Sequence, residues 1–338
     1  NRRVTEAHIV DKSATPARQR RVAPVVRRRG AAVSRQTGRD GMVAVPPSAR
    51  CGPASRRYGH ALVAPEPVLD LAGLRSAVLA WGQRRGRDLP WRRTRDPWAV
   101  LVSEFMLQQT QVARVIDRYG PFLDRFPDAA ACAAAPAAEV IASWQGLGYN
   151  RRAINLHRAA EAMTDEHGGR VPASLEALVA LPGIGPYTAR AVLVFAFELD
   201  LGVVDVNVAR LLARWDGVER TPSARQRRAD ELVPTGEAWA WTQALFDLGA
   251  TICRRRQPLC GECPVQHVCS WAGRGPDPHR AGPRQSRFEG SDRQGRGRLV
   301  DALRAGPVPM SEIARVVGWP SDAPRVESVV ASLVADGL

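Results

Sequence analysis

Residues 181–189, Leu-Pro-Gly-Ile-Gly-Pro-Tyr-Thr-Ala, decide how this chain folds. Gly183 and Gly185 interrupt a helical pattern, and Pro186 opens the next helix, which the apolar run Ala191–Phe197 extends. Two glycines permit a tight turn and leave backbone amides uncovered. Together with the amino end of a helix, such amides form a site for a phosphate group. The stretch therefore predicts two helices joined by a hairpin that binds phosphate.

Further helices extend from this hairpin in both directions. Between residues 67 and 271 the apolar spacing is helical, with almost no alternation of the kind that strands show. One helix is predicted over residues 68–85 and an apolar one over residues 97–119, which Asp96 caps. Ser174 caps a shorter helix before the hairpin. The pattern is typical of an all-α protein.

The two ends of the chain differ from this helical middle. Residues 1–65 are rich in Arg, Ala, Pro and Ser without a sustained period, which predicts a disordered basic extension. Residues 272–295 are rich in Gly, Pro, Arg and Asp and indicate a linker. Residues 296–338 resume helical periodicity and predict a small three-helix unit, resembling a winged helix, that is too short to be an enzyme by itself.

Composition excludes some functions. Of 338 residues, 45% are apolar and 24% charged, a globular balance, and no apolar run exceeds seven residues, so no membrane span or signal peptide is expected. The net charge is +14, but residues 1–60 hold 14 basic and 3 acidic side chains and account for most of it. Lys12 is the only lysine, so no lysine of the folded region can form a Schiff base.

Four of the six cysteines predict a metal centre. They follow the spacing C-x6-C-x2-C-x5-C, namely Cys253, Cys260, Cys263 and Cys269. Four clustered thiolates can enclose one centre, and nothing indicates the secretion that usually accompanies disulfides. Spacing alone allows a four-cysteine zinc site or a [4Fe–4S] cluster, and the long first gap favours iron–sulfur. We expect the centre to be structural rather than catalytic.

Two carboxylates are candidates for acid–base chemistry. Glu104 lies inside a largely apolar helix, where burial raises a carboxyl pKa toward that of a general acid at neutral pH. The alternative is an exposed residue, or one paired with Arg92 or Arg93. Asp205 begins a helix about 20 residues after the hairpin. Its role as a helix cap is a sufficient explanation, and an ionised carboxylate that faces a reacting centre is compatible with it.

Together these features resemble the iron–sulfur DNA glycosylases of the helix–hairpin–helix (HhH-GPD) superfamily, and among them the MutY-type adenine glycosylases. The matching segments keep the family order over about 60% of the chain: residues 89–92, 103–111, 146–149, 181–189, 204–210 and 243–250, and the four cysteines.

The resemblance implies an all-α, two-lobed glycosylase fold over residues 66–271, ending in an iron–sulfur loop. One lobe is a helical bundle of residues 97–205, and the other combines residues 66–96 with residues 206–271. Double-stranded DNA with an adenine mispair would lie in the cleft between the lobes, with the two carboxylates at its base. The resemblance further implies a monomer that is cytoplasmic and associated with the nucleoid.

The implied activity is that of a monofunctional enzyme of base excision repair, which flips out adenine mispaired with 8-oxoguanine or guanine and hydrolyses its N-glycosidic bond. Glu104 matches the acid that protonates adenine N7. Asp205 matches the carboxylate that stabilises the oxocarbenium-like sugar, either electrostatically or as a transient nucleophile. Tyr187 and Asn207 match residues that support this pair. Bifunctional relatives carry a lysine at the position of Tyr187.

The other matched positions contact substrate or DNA: Trp91, Arg92, Gln109, Tyr149, Gly183, Gly185 and Gln243. Gln243 matches a residue that hydrogen-bonds the flipped adenine. Arg92 matches a second pocket position, and for its neighbour Trp91 a packing role is an equal alternative. Gln109 and Tyr149 match side chains that wedge into the duplex near the mismatch.

The chain also departs from the family pattern. Val206 replaces a usual glycine, and about 65 residues follow the cysteines where a Nudix-like domain that recognises 8-oxoguanine is common. Two alternatives stay open, a thymine or uracil mismatch glycosylase on the same scaffold and a non-catalytic iron–sulfur protein that binds DNA. Glu104 and Gln243 favour adenine, because a pyrimidine has no N7 to protonate.

Overall fold

The computed structural model describes residues 70–280, 282 and 286–336. These ranges contain fourteen α-helices and no β-strand, which confirms the all-α prediction. The predicted disordered extension, residues 1–65, lies outside the described residues. None of the described helices has the length and apolar character needed to cross a membrane.

The helices follow one another with short connections. They are α1 (Leu71–Arg85), α2 (Pro97–Leu107), α3 (Val112–Arg125), α4 (Ala129–Ala134), α5 (Ala137–Ser143), α6 (Arg151–His167), α7 (Leu175–Ala180), α8 (Pro186–Phe197), α9 (Val206–Asp216), α10 (Pro222–Leu232), α11 (Ala238–Asp247), α12 (Asp292–Ala305), α13 (Met310–Val317) and α14 (Ala323–Ala335). A π-helical turn, Leu248–Ile252, follows α11 directly. Short 3₁₀ turns cover Pro90–Arg92, Cys260–Glu262 and Gln266–Val268.

The helix α2 is the centre of a first group of helices. Its residues Trp98–Met106 are all buried, and α3, α6 and α8 pack around it. The helix begins as the sequence predicts, because the Asp96 carboxylate accepts a hydrogen bond from the amide of Ala99 at 2.7 Å. α4 and α5 pack on α6, and α7 packs on α8. A fully surrounded helix explains why its sequence is apolar on every side.

The end of α2 differs from the sequence prediction. The apolar pattern predicts one helix over residues 97–119, but α2 ends at Leu107 and α3 begins at Val112. Between them Gln109 adopts a left-handed backbone, with φ of +55°. The last carbonyl groups of α2 accept hydrogen bonds from the Arg152 guanidinium. A contact from a distant helix therefore ends α2, which local periodicity does not encode.

A second group contains α1, α9, α10 and α11. α1 lies along α11, and α9 contacts α10, α11 and the π-helical turn. α8 contacts α11 and so connects the two groups. This division agrees with a two-lobed arrangement, and it brings the helix after the hairpin close to the helix that precedes the cysteines.

Helices α12, α13 and α14 pack on one another around a small apolar centre. Its buried members are Leu299, Val300, Ile313, Val317, Val326, Val329 and Leu333. The first of the three helices begins at Asp292, four residues before the sequence pattern places it, where the Ser291 side chain caps it. The described part of this unit is helical, with no strand.

Candidate active site

Glu104 lies in the middle of α2 and is only 4% exposed. Burial raises the pKa of its carboxyl group to about 8, a hydrogen bond from the Tyr187 hydroxyl opposes this rise, and the charge of Asp205 adds to it. Helix α2 carries the glutamate and α8 carries the tyrosine, and these two helices pack directly together. Near neutral pH the buried Glu104 therefore keeps its proton and is able to act as an acid.

Asp205 caps α9, as the simpler interpretation of the sequence predicts. Its Oδ1 accepts hydrogen bonds from the amides of Asn207 at 2.8 Å and Val208 at 2.7 Å. Its Oδ2 accepts a third from the Asn207 side chain at 2.8 Å. Burial raises the pKa of Asp205, and these three bonds and the charge of Arg210 oppose the rise. The same carboxylate is also close enough to influence Glu104.

The two carboxyl groups differ in their surroundings. Asp205 accepts three hydrogen bonds and has a guanidinium nearby, both of which favour its ionised form. For Glu104, burial outweighs the single bond from Tyr187, which favours its protonated form. Burial raises the pKa of both groups, but the contacts that oppose it are more numerous at Asp205, which makes Asp205 the better suited of the two to be the anion beside an acid.

A hydrogen-bonded chain connects Asp205 to the cysteine-rich loop. The Asn207 side chain accepts a bond from Arg210 at 2.9 Å, and the same guanidinium donates to the carbonyl groups of Gly249 at 2.7 Å and Cys253 at 2.8 Å. A side chain at Gly249 would lie 2.6 Å from the Asn207 Cβ, so this close approach requires glycine. No local signal in the sequence marks Arg210 as this link, because Gly249 and Cys253 lie about 40 residues away.

The structure pairs the two arginines before α2 with residues other than Glu104. Arg92 donates to both carboxylate oxygens of Asp247, at 2.7 and 2.8 Å. Arg93 pairs with Asp88 on the surface. Glu104 is therefore not the arginine-paired residue of the alternative interpretation.

Of three further predicted pocket residues, Trp91 and Gln243 are buried and Arg92 is partly buried. Trp91 packs edge-on against Tyr119, with ring centroids 5.7 Å apart, which is the packing role foreseen as its alternative. Gln243 lies in α11 and is 8% exposed. Arg92 has its Nε buried without a hydrogen-bond partner among the described residues, which leaves a donor for a ligand.

The hairpin between α7 and α8 has the features that a phosphate site needs. Gly183 adopts a φ of +75°, and a Cβ there would lie 2.6 Å from the Asn155 Cβ, so two independent constraints require glycine. Gly185 occupies the cap position of α8, and no side chain caps that helix. The first amides of α8 are therefore open to an anion.

Gln109 and Tyr149, the two predicted wedge residues, lie in loops that one arginine holds together. Both adopt left-handed backbone, with φ of +55° and +49°. Arg152 of α6 donates to the carbonyl group of Gln108 in the first loop and to those of Leu147 and Gly148, both at 3.1 Å, in the second. No local signal in the sequence marks this arginine as the link between the loops.

The four cysteines predicted to bind a metal line one pocket after the π-helical turn. Burial raises the pKa of the Cys263 thiol to about 11, and the other three cysteines add to this effect. Arg214 donates to the Cys253 sulfur at 3.2 Å, and the amide of Ala272 donates to the Cys269 sulfur at 3.2 Å. In the described part of the chain, no group of three or more His, Cys, Asp or Glu side chains is arranged to hold a metal ion.

The class of helix–hairpin–helix DNA glycosylases combines an open hairpin at a helix terminus, a buried glutamate with an aspartate close enough to influence it, and a four-cysteine pocket. The family model of the HhH-GPD superfamily base excision DNA repair proteins matches residues 102–235. This range includes α2, the hairpin and the cap of α9.

Curated relatives narrow the class. The chain is 44% identical to the adenine DNA glycosylase of Mycobacterium tuberculosis (strain H37Rv) over 269 residues, which cover 77% of this chain and 88% of that protein. It is 42% identical to the adenine DNA glycosylase of Mycolicibacterium smegmatis, and the match covers 77% of this chain and 90% of that protein. The human adenine DNA glycosylase is 38% identical, and the match covers 68% of this chain and 46% of that protein. The chain belongs to the adenine DNA glycosylases, enzymes of base excision repair.

Solved structures agree with this fold. A thermostable thymine-DNA glycosylase is 31% identical, with a TM-score of 0.58, and the match covers 61% of this chain and 97% of that one. A non-covalent endonuclease III–DNA complex is 21% identical, with a TM-score of 0.53, and covers 61% and 97%. The second match concerns the fold alone.

Proposed function

We propose that this protein binds double-stranded DNA as a monomer and removes adenine mispaired with 8-oxoguanine or guanine, leaving an abasic site and an uncut backbone. The observation that carries this proposal is the buried Glu104, whose pKa of about 8 supplies a proton beside Asp205. Adenine is a poor leaving group as an anion, so an acid must protonate its ring nitrogen before the bond to the sugar breaks.

The reaction balances with these residues. Glu104 donates its proton to adenine N7, the bond between C1′ and N9 breaks, and its electron pair leaves with the neutral base. The sugar becomes an oxocarbenium-like cation, which the Asp205 carboxylate stabilises by charge or by transient bonding, as in glycoside hydrolysis. Water then adds to C1′ and transfers a proton to the Glu104 carboxylate, which restores the acid. Tyr187 holds the acid through its hydroxyl, and Asn207 holds the anion.

Adenine must leave the duplex to reach Glu104. The buried Gln243 and the unpaired Nε of Arg92 are suited to bind the edge of the flipped base. The ion pair with Asp247 fixes the Arg92 guanidinium and so directs this remaining donor. The hairpin amides bind a backbone phosphate, while Gln109 and Tyr149 occupy the space in the duplex that the adenine leaves.

Absence of lysine from the folded region favours hydrolysis without strand cleavage. A Schiff base with the sugar needs a primary amine close to C1′. Tyr187 occupies the position where bifunctional relatives carry lysine, and it is hydrogen-bonded to Glu104. Lys12 lies outside the described residues.

We further propose that Cys253, Cys260, Cys263 and Cys269 hold a [4Fe–4S] cluster. Thiolates are the usual ligands of such clusters, and all four line one pocket. Two of the sulfur atoms accept N–H hydrogen bonds, which is how proteins stabilise the negative charge of a bound cluster. The bound cluster would fix the loop that Arg210 connects to Asn207.

Base release under single-turnover conditions tests the function. Duplexes would carry A opposite 8-oxoguanine, G or T, and T or U opposite G, each assayed with and without alkali. We expect release of the mispaired adenines alone, with strand cutting that depends on alkali. Because Glu104 must be protonated, the rate should fall as the pH rises through about 8.

Two variants make this test specific. E104Q should lower the rate at least about 100-fold, because general acid catalysis contributes about that much or more, and should leave DNA binding intact. E176Q changes a glutamate in the first turn of α7 and should behave as wild type. Release of thymine or uracil would assign the protein to the mismatch-pyrimidine glycosylases. Binding without release from any duplex would indicate a non-catalytic protein.

A further inference from the structure

The chain passes from α8 to Asp205 through a connection, residues 198–204, that belongs to no helix. At its start Glu198 adopts a left-handed backbone, with φ of +55°. The helix before it carries Tyr187, the partner of Glu104, and Asp205 follows it directly. Because no helix fixes the path of this connection, contacts from other elements must do so.

Side chains of α8 and α10 hold both backbone polar groups of Gly202, which lies three residues before Asp205. The Gly202 amide donates to Asp230 Oδ1 at 2.9 Å. The Gly202 carbonyl group accepts hydrogen bonds from Arg190 of α8 at 3.1 Å and from Gln226 of α10 at 2.9 Å. Arg190 and Asp230 also form an ion pair at 2.7 Å. These four residues are called the Gly202 clamp below.

The Gly202 clamp is closely packed. Gly202 is buried, and the Arg190 side chain is only 17% exposed. A Cβ at Gly202 would lie 2.6 Å from the Ala229 carbonyl carbon and 2.7 Å from the Asp230 amide nitrogen. Both atoms belong to the backbone of α10, so no side-chain rotation relieves the collision. The connection can approach α10 this closely only because residue 202 is glycine.

The Gly202 clamp joins the elements that carry the two carboxyl groups. Arg190 lies about one turn after Tyr187 on α8, and Tyr187 is hydrogen-bonded to Glu104. The cap contacts of Asp205 fix its carboxylate relative to α9. They do not fix α9 relative to α8. The clamp supplies this second constraint, because it holds the backbone before Asp205 against α8 and α10.

We propose that the Gly202 clamp is a positioning device that holds Asp205 at the distance from Glu104 which base release requires. This rests on the proposed function, in which Asp205 stabilises the cationic sugar after Glu104 protonates the base. Arg190 and Asp230 act through the backbone of the connection and not on the substrate. Such an indirect effect is large enough to measure, since a misplacement of about 1 Å can slow an enzyme about 100-fold.

The experiment compares wild type, R190A, D230A, the double variant and the control R228A. Arg228 lies on α10, and its side chain is also 17% exposed. It pairs with Asp216 of α9 and with Glu231, both at 3.3 Å, and so holds α10 without binding the connection. The measurements are the single-turnover rate on A opposite 8-oxoguanine, the Kd for the same duplex with 2′-fluorinated adenosine, which resists hydrolysis, and the melting temperature.

We expect R190A and D230A each to lower the rate at least about tenfold, a tenth of the loss that a misplacement of about 1 Å can cause. Their Kd should stay near the wild-type value. The double variant should be little slower than either single variant, because both changes break the same clamp. R190K keeps a charged donor and should recover much of the rate. R228A should keep the wild-type rate even where its melting temperature falls as far as that of R190A.

The pKa of Glu104 gives a second readout that needs no catalysis. The charge of Asp205 helps to raise this pKa, and the hydrogen bond from Tyr187 opposes the rise. The other elements packed on α2 carry charged or titratable groups whose hydrogen bonds go to other atoms, namely Tyr119 of α3, Arg152 of α6 and Arg92 of the 3₁₀ turn. A change in the position of Asp205 should therefore appear in the titration of Glu104.

We expect R190A to lower the pKa of Glu104, because Asp205 is then no longer held beside it. ¹³C NMR of labelled glutamate carboxyl groups measures this pKa, and E104Q assigns the signal. In a D205N background, where the charge is absent, R190A should not change the pKa. D230N keeps an acceptor for the Gly202 amide and removes only the ion pair, so it serves where an alanine variant does not fold, and it should shift rate and pKa in the same directions.

Three results would overturn the inference. They are equal rates of R190A and R228A, an unchanged pKa of Glu104 in R190A, and a change of this pKa that persists in the D205N background. The NMR titration separates the inference from the proposed function. A wild-type protein that releases no base from any duplex, while R190A still lowers the pKa of Glu104 through Asp205, would refute the proposed function and keep the clamp as the device that sets this distance.

Discussion

Asp205 combines two roles at the scale of a single residue. It caps α9 through two backbone amides, and in the proposed mechanism it is the anion beside Glu104. The substitution D205N separates these roles, because asparagine caps helices about as well as aspartate. We expect the free energy of unfolding to change by less than about 1 kcal/mol, while base release falls at least about 100-fold, a size typical for the loss of an electrostatic stabiliser.

The control for this substitution is D96N. Asp96 caps α2 in the same manner, through the amide of Ala99. It should change stability by a similar small amount and leave base release near the wild-type rate. Chemical denaturation and single-turnover assays on the two variants measure both quantities, and a D205N protein that keeps its activity would reduce Asp205 to a helix cap.

Glu104 makes stability depend on pH. Its pKa in the folded protein, about 8, lies above its ordinary value, so the folded state binds this proton more tightly than the unfolded state does. Stability should therefore fall as the pH rises from about 4.5 to about 8. E104Q removes this loss of stability with pH. The difference between the melting temperatures of E104Q and wild type should therefore increase from about pH 4.5 to about pH 8. The difference in melting temperature between E176Q and wild type should not change with pH. A difference for E104Q that also does not change with pH would contradict a buried, protonated Glu104.

The role of a single residue can be predicted from the sequence where the neighbouring residues indicate whether it is buried. An acidic residue inside an apolar helix indicated the raised pKa of Glu104, and its position at the start of a helix indicated the cap at Asp205. The partner of Arg92 was not predictable in this way. Asp247 lies 155 residues further along the chain, and only the packing of α11 brings it into contact.

At the scale of elements, Arg152 connects the end of α2, the following loop and the loop before α6. It donates to carbonyl groups of both loops and to the Thr110 hydroxyl, and its guanidinium stands 5.6 Å from the ring centroid of Trp144. Alanine would leave several buried acceptors without partners. We expect R152A to cost at least about 2–3 kcal/mol of unfolding free energy, measured by denaturation in urea.

A lysine at this position should rescue little, because one ammonium group cannot reach acceptors spread over two loops. The matched control is R170A, at an exposed position after α6, which should change stability by less than about 0.5 kcal/mol. Equal stabilities of R152A and R170A would show that the loops keep their conformations without this guanidinium.

Element boundaries were predictable where a cap or proline marks them, as at Asp96 and Ser174. The boundaries were not predictable where a tertiary contact determines them. The predicted helix crosses the polar residues 108–111 because apolar residues lie on both sides of them, yet Arg152 binds carbonyl groups at this point and the helix ends. The start of α12 at Asp292 was also missed, because its first turn is polar and rests on the Ser291 cap rather than on apolar periodicity.

At the scale of the whole molecule, Asp336 fixes the C-terminal helical unit to the bundle. Partial burial acts to raise the pKa of Asp336, but the hydrogen bonds and charges of Arg151 and Arg296 hold it below its ordinary value. D336A should therefore increase hydrogen exchange in α12–α14 while exchange in α2 and α8 stays unchanged. Acidification below about pH 4 should have the same effect on wild type, since protonation removes this contribution.

D322N is the control, because Asp322 caps α14 from an exposed position. It should affect α14 locally and leave the docking intact. Uniform exchange across all helices of D336A would show that the unit and the bundle unfold as one body. The order of helices was predictable from the sequence, but the docking was not, since it depends on ion pairs between residues about 185 positions apart.

The shared arginine between the Gln109 and Tyr149 loops also bears on how the protein searches DNA. Since one guanidinium holds the backbone of both loops, we expect Gln109 and Tyr149, in their proposed wedge role, to enter and leave the base stack together. Insertion of both side chains into a base pair should then be one step with a single energy barrier, rather than two successive steps. The insertion of these side chains at a mispair should accordingly show a single kinetic phase. The time that the protein spends at a normal base pair should be set by how quickly both side chains withdraw.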